Sequence, residues 1–309
     1  HVTPYYERAW GYGGIPRVAS GVCRGLAARG HRVSVVTTDA RDEGGRLEAG
    51  TAPGAAGVTV HVFPNASNRL AYHRQFFVPL GLAGWLREHA ADFDVAHVHG
   101  HHHLLSALAS RALRRAGVPY VVAPNGLAPR AEGQRLAKWV FDQTVGRGVL
   151  PHAARVVAVS EAERAQLLAL GVPAARLRVV PNPVDPGDFE PPPAPGGLRR
   201  RVGPAFDAER LVLYLGTLIP RKQVDVLVRA LGQLRTPRVG LAIAGNDLGA
   251  GSTVRAVVAS LGLGSRVRFL GLVEGRERAE LLGGADVVAY PGRAEAFGLV
   301  PLEALLCGT

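Results

Sequence analysis

The chain has 309 residues, which suits two domains of ordinary size better than one. Its formal charge is +11, from 36 basic and 25 acidic residues; all but two of the basic ones are arginine, and the abundance of Ala, Gly and Pro points to the same G- and C-rich codon usage. No run reaches the roughly eighteen apolar residues of a membrane span, no secretory leader is visible, no basic stripe interleaved with aromatics marks a nucleic-acid reader, and two cysteines make no disulfide framework. A reducing compartment, the cytoplasm, is the expected setting.

In chain order, Gly13 and Gly14 precede an amphipathic helix, and residues 29–37 read as a strand. Arg69, Arg74, Arg87, Arg111, Arg114 and Arg115 then lie near Phe76, Phe77 and Trp85, a combination suited to peripheral contact with an anionic membrane at its inner face. Residues 94–99 form the next strand, and His97, His99, His101, His102 and His103 fall within seven positions. Imidazole is a common metal ligand. No Cys, Asp or Glu lies inside the cluster, however, and strand alternation sends only His97 and His99 to a common face, so a strand end leaving the sheet at Gly100 is the favoured reading over a metal site. A satisfied loop histidine is the plainer alternative for His99.

Residues 191–197, Pro-Pro-Pro-Ala-Pro-Gly-Gly, have no apolar period and several residues that cannot extend a helix. They are the expected linker, with domains at 1–190 and 191–309. Beyond them βα units recur: a strand at 211–216 ending in Gly216, then Arg221 and Lys222, then a helix marked by Val224, Leu227, Val228 and Leu231. A strand at 240–245, a helix at 253–261, a strand at 266–271, a helix at 276–282 and a buried strand at 285–289 complete the series. Such alternation on both sides of the linker implies α/β architecture with parallel sheets, hence two Rossmann-like domains. Ligands of open α/β sheets bind at the carboxyl ends of strands, where Arg221 and Lys222 would meet a diphosphate.

The last motif places Glu295 and Glu303 with seven residues between them, around Phe297 and Gly298. Pro301 suits the first turn of a helix, and the amides near Gly298, Leu299 and Val300 would then stand at a helix N-terminus, a ready anion site. The two carboxylates could accept hydrogen bonds from hydroxyls on either side of a bound diphosphate. A strand, loop and helix with ordinary surface glutamates is the bland alternative.

The order Gly216-x4-Arg221-Lys222, Ala244-Gly-Asn, Val267-Arg-Phe-Leu-Gly, then Ala285-Asp-Val-x3-Pro-x3-Glu295-x-Phe-Gly-x4-Glu303-Ala resembles the donor-binding half of retaining family 4 glycosyltransferases of GT-B fold. Gly13-Gly14, residues 29–37, Asp94 to His99, Val159-Ser-Glu161 and residues 180–185 extend the resemblance over nearly the whole chain. It implies two Rossmann-like domains facing across a cleft and a nucleotide-sugar donor. The acceptor would be a glycan, a lipid-linked or a small-molecule hydroxyl, used in polysaccharide or glycoconjugate biosynthesis. It also implies roles for individual residues. His99 would face the reacting sugar and Glu295 orient the donor sugar, as the catalytic pair. Glu303 would hold the ribose, with Gly13, Gly14, Gly216, Arg221, Lys222, Phe297, Gly298, Leu299 and Val300 around the donor and Asn125 on the acceptor side.

Retaining transfer requires an oxocarbenium-like transition state and a neutralised leaving diphosphate. Arg221, Lys222 and the helix start would supply the second without a metal or other cofactor. No acidic residue of the first half is an evident nucleophile, so front-face transfer assisted by the leaving phosphate is expected. Two positions depart from the family pattern: Thr217 where arginine is frequent and Gly292 where serine is usual. A sugar-nucleotide epimerase or phosphorylase of the same fold, and a non-catalytic nucleotide-sugar-binding protein, are the alternatives. The chain opens where a first strand should already be complete and stops at Cys307-Gly-Thr309, so the reading expects a fragment lacking that strand and the C-terminal part. An open sheet edge and weak activity would follow.

Overall fold

Short valine-rich runs set the strands and amphipathic segments between them set the helices, in a computed structural model that describes residues 1–126, 128, 135–204, 206–236, 238–293 and 295–309. Two compact units divide between Pro183 and Val184.

In the first unit, Gly14 is the N-cap of α1 (Ile15–Ala27), and a proline in its first turn supplies a preset φ where no N–H is needed. There follow β1 (Ser34–Thr38), β2 (Gly50–Pro53), β3 (Thr59–Phe63), α2 (Asn68–Arg74), α3 (Leu82–His89), β4 (Ala96–His99), α4 (Leu104–Ala116), β5 (Tyr120–Ala123), α5 (Arg135–Gln143), β6 (Arg155–Ala158), α6 (Glu161–Ala169) and β7 (Leu177–Val179). Strand β1 pairs in parallel with β3, whose other edge carries antiparallel β2. Strands β4, β5, β6 and β7 are parallel neighbours in that order.

Residue Val2 joins the two sets, bridging in parallel to Val36 of β1 on one side and Val98 of β4 on the other. Its amide donates to the His97 carbonyl at 2.8 Å, and the Thr3 amide donates to the Val36 carbonyl at 3.0 Å. The central place of this sheet, expected to be vacant, is therefore held by residues 1–3, because they find backbone partners on both sides. The sequence direction of strand addition reverses beside Val2, as at the switch point of a doubly wound sheet.

The second unit contains α7 (Gly197–Val202), β8 (Arg210–Leu215), α8 (Val224–Gln233), β9 (Val239–Ala244), α9 (Gly251–Ser260), β10 (Val267–Gly271), α10 (Gly275–Gly283), β11 (Val287–Val288) and α11 (Leu299–Leu306). Its sheet is wholly parallel in the order β10-β9-β8-β11. One apolar core lies beneath α7, α10 and α11 with Leu213, Leu215, Ala279 and Leu282, and another gathers Tyr214, Val228, Ile243 and Val254 under α8 and α9.

The proline-rich run does not behave as a linker. Phe189 before it and Leu198 after it are both core residues of the second unit. Arg276 of α10 donates to the carbonyls of Pro191 and Pro192, the latter at 2.8 Å. Apolar burial at both ends and a guanidinium over the middle fix the run to this unit, and the division falls earlier in the chain. Strand β11 is also shorter and less buried than its valines suggest: as an edge strand it leaves Val287 54% exposed.

Candidate functional site

Strand order in the second unit reverses between β8 and β11, so the loops after these two strands meet at the sheet's carboxyl edge, where doubly wound folds hold ligands. Gly245 lets the backbones beside this edge close up. It has φ +143°, and a Cβ there would stand 1.8 Å from the Gly216 carbonyl oxygen.

The loop after β8 turns through Pro220–Lys222 and delivers Arg221 and Lys222; the loop after β11 delivers Tyr290 and Glu295. Lys222 Nζ lies 2.7 Å and Arg221 Nη1 3.0 Å from Glu295 Oε1. The Lys222 ammonium also donates to the Tyr290 hydroxyl oxygen at 2.8 Å, and that hydroxyl donates to Glu295 Oε2 at 2.8 Å. The ammonium further sits 4.7 Å from the Tyr290 ring centroid, where ring and cation attract. A backbone bond from Arg293 N–H to the Arg221 carbonyl, 2.9 Å, ties the loops together.

Two cations therefore share one carboxylate, and Lys222 is only 8% exposed. Burial pushes the Glu295 carboxyl up, but hydrogen bonds and charge from Lys222, then Tyr290 and Arg221, outweigh it and hold the group below the usual carboxylate range. Burial draws the Lys222 ammonium below the usual lysine range, against the pull of Glu295. Burial raises the Tyr290 phenol, with Glu295 adding to it, so Tyr290 stays a donor. The excess of positive charge over a rigid carboxylate is suited to an oxyanion.

Helix α11 begins after Gly298, an N-cap at φ +83° with no side chain capping the helix. A Cβ on Gly298 would lie 3.4 Å from the Tyr290 ring, so the helix start leans on the cluster. Leu299 and Val300 open the helix, and Val300 is buried in the core. Glu303, one turn inside, is 4% exposed and paired with Arg278 of α10. The sequence reading missed Arg278 and the hydroxyl of Tyr290. Tyr290 was legible as a strand end; nothing local in the sequence singles out Arg278. Phe297 lies half-buried in the loop between Glu295 and α11.

In the first unit, Gly13 (φ +101°) ends a short 3₁₀ turn and Gly14 starts α1. His99, at the end of β4, is 1% exposed, with Nε2 3.1 Å from His1 Nδ1 and its ring stacked on His97 at 4.1 Å between centroids. Burial, then the neighbouring His97, holds His99 well below the ordinary imidazole range, and burial takes His97 down to about 4. Asn125 follows β5 in the left-handed region at φ +54°, with Nδ2 donating to the Ala123 carbonyl at 3.0 Å. Beside it lies a residue the sequence reading did not single out: Glu163, fully buried, accepts from Gly126 N–H at 2.5 Å and from Val159 N–H at 2.7 Å. Ser160 caps the same helix by accepting from Glu163 N–H at 3.2 Å, a serine and glutamate three apart whose carboxylate serves neighbouring strand ends.

Residues 13–183 match the family model described as a glycosyl transferase 4-like domain, and residues 199–309 match that described as glycosyl transferases group 1. The chain is a member of glycosyltransferase family 4. The "D-inositol 3-phosphate glycosyltransferase" of Kineococcus radiotolerans is 35% identical over 228 residues, covering 69% of this chain and 52% of that protein. The protein of the same name from Stackebrandtia nassauensis is 31% identical over 335 aligned positions, covering 100% of this chain and 73% of its own. The chain thus spans between about half and three quarters of these relatives. Among solved structures, Anabaena Alr3699/HepE in complex with UDP and glucose superposes with a TM-score of 0.73 at 19% identity, covering 100% of this chain and 78% of that one. WaaG, a glycosyltransferase involved in lipopolysaccharide biosynthesis, gives 0.63 at 19% with the same coverage. These likenesses bear out the GT-B fold with its two Rossmann-like domains.

No helix among the described residues of this glycosyltransferase is long and apolar enough to cross a membrane. The aromatic residues expected to face a membrane divide. Phe77 is 1% exposed, packed on Tyr5 and Tyr12, and Trp85 lies against His61, Phe63 and His89. Only Phe76 of the three stands out, at 56%, near Leu70 and Leu80 at 48% and 53%. The two cysteines are free thiols, Cys23 buried inside α1 and Cys307 after α11.

Proposed function

We propose that this chain carries the machinery that moves a sugar from a nucleoside-diphosphate sugar to an acceptor hydroxyl with retention of configuration. The observation that carries the reading is the Arg221, Lys222, Tyr290 and Glu295 cluster at the switch point between β8 and β11. In the free protein the carboxylate holds both cations. A donor diphosphate would take over part of that positive charge, leaving Glu295 to accept from the sugar hydroxyls, and the N-terminus of α11 would add its partial charge. In the transfer itself the bond from C1 to the phosphate oxygen breaks and the bond to the acceptor oxygen forms on the same face. The acceptor proton passes to the leaving phosphate.

With two cations and a helix start in place, no divalent ion is needed at the diphosphate. Gly13, Gly14, His99 and Asn125 belong to the acceptor-side unit in this scheme, with His99 facing the sugar and Glu303 on the ribose. The names of the curated relatives support a phosphorylated polyol such as D-inositol 3-phosphate as the first acceptor to try. A cytoplasmic protein touching the membrane from its inner face fits Arg69 and Arg74 beside exposed Leu70, Phe76 and Leu80.

A thermal-shift screen of UDP-, GDP- and ADP-sugars, followed by transfer to the polyol phosphate with the product anomer read by NMR, tests this. A donor raises the melting temperature if it binds the folded state. Retention in the product is expected. No shift with any of the three, or an inverted anomer, would refute the reading.

A further inference from the structure

Among the described residues, two groups of three ligand-type side chains lie outside the donor cluster, and one of them sits where the β4 end meets α5. His101 Nε2 and His102 Nε2 each stand 3.0 Å from Asp142 Oδ1. The three ligand atoms lie within 4.8 Å of one another. We propose that His101, His102 and Asp142 form a site for a borderline divalent transition ion of the zinc class, which fastens α5 to the loop between β4 and α4. This inference stands apart from the donor chemistry.

Geometry supports it first. With metal–ligand distances near 2.0–2.1 Å, ligand atoms of a tetrahedral centre lie about 3.3 Å apart. The two nitrogen–oxygen distances need to open by only a few tenths of an ångström to admit the ion. The donor set supports it next: two imidazoles and one carboxylate select zinc-like ions over Mg²⁺ or Ca²⁺, which prefer all-oxygen shells. Burial adds to this, since the imidazole side chains are 6% and 8% exposed and the carboxylate 17%, so few waters compete. In the bound form each ring would present Nε2 to the metal and carry its proton on Nδ1, with the Asp142 carboxylate as the third ligand. Among the described residues no fourth side chain joins these three.

The placement says what the ion would do. None of the side chains of α5 is fully buried, and Leu136, Trp139 and Val140 are exposed at 73%, 48% and 45%. Its C-terminal turn meets the histidines: Asp142 on both imidazoles, and Phe141 edge-on to them, 5.8 Å from His101 and 5.5 Å from His102. A helix with so little apolar burial gains most of its order from that turn. The sequence hides this site because the carboxylate comes from a residue some forty positions beyond the histidines.

The test titrates the whole chain, stripped with chelator and dialysed, with Zn²⁺ by calorimetry and with Co²⁺ by visible absorption. The wild type should bind one ion with intense Co²⁺ ligand-field bands. His102→Gln and Asp142→Asn should each weaken Zn²⁺ by about tenfold or more. His97→Gln, in the separate cluster of His1, His97 and His99, should bind as the wild type does. Hydrogen exchange of the α5 amides in the wild-type chain gives a readout that needs no variant, and Zn²⁺ should slow it. The proposal fails if the wild type binds no ion, if Asp142→Asn binds equally well, if only His97→Gln loses the ion, or if Zn²⁺ leaves α5 exchange unchanged.

Discussion

The carboxyl ends of the two sheets occupy the same topological place and are built from opposite materials. At the second unit, two cations and a phenol crowd one carboxylate, and the group stays ionised because partners outweigh burial. At the first, His97 and His99 stack in an environment where burial dominates, and both stay neutral. The fold position alone does not decide what a site can bind. Whether the side chains after the strand bring compensating charge does, and among the described residues at these two strand ends it is the second unit that presents a surplus of positive charge.

The strongest way to break this comparison is to remove the cation. Lys222→Ala, and separately Glu295→Ala, should lower transfer about a hundredfold, equivalent to about 3 kcal/mol of lost transition-state stabilisation. Initial rates paired with far-ultraviolet circular dichroism would check it; near-parental rates with an intact spectrum would show that the cluster is not the donor site.

A neutral counterpart in the first unit is Glu163→Ala, which strands the buried Val159 amide and the half-buried Gly126 amide. It should cost about 3 kcal/mol of stability, from two unpaired donors. Urea unfolding followed by tryptophan fluorescence is the measurement. All three tryptophans, Trp10, Trp85 and Trp139, lie in the first unit, so the signal belongs to that unit.

Acid should sharpen the contrast further. His97 is held neutral with its native value down to about 4, so below about 6.5 the unfolded chain binds more protons than the native one. The first unit should therefore lose stability as pH falls from about 6.5 towards 4. Glu295 is depressed instead, so its contribution is fully present above the usual carboxylate value and is lost only as pH falls below about 4.5. Fluorescence midpoints should drop at milder acid than midpoints from a probe in the second unit; coincident loss of both would contradict the assignment.

The smallest expected effect is a null one. Donor affinity measured in EDTA and in Mg²⁺ should agree if Arg221 and Lys222 do the neutralising, as proposed. A requirement for Mg²⁺ or Mn²⁺ would mean that the cluster is insufficient.

The parts of this molecule that were legible in the sequence are those carried by neighbours. Strand, glycine and basic pair at 211–222, and strand, proline and carboxylate at 285–295, lie in single short stretches. Their meeting follows from the doubly wound order. The rest depends on residues far apart in the chain: Arg278 on Glu303, Asp142 on the histidines, Glu163 on Gly126, and Arg276 over the proline run. No local period signals such pairs, because a polar partner is chosen by where the fold puts it. The proline run misleads for a related reason. Its composition resembles a tether, and only Phe189 and Leu198 at its ends, two hydrophobes in an unpatterned stretch, report that it is packed.

The bridging of Val2 has a kinetic meaning. The sheet of the first unit closes through one residue that must find Val36 on one side and Val98 on the other, just as β8, central in the second unit, pairs with the next strand, β9, and then with the much later β11. Loop closure over such a separation is slow relative to neighbour pairing. During synthesis the segment around Val2 leaves the ribosome long before β4 exists, and it has to wait, paired on one edge at most, until the chain has passed His99. The earliest of these segments to be made is thus among the last to be locked.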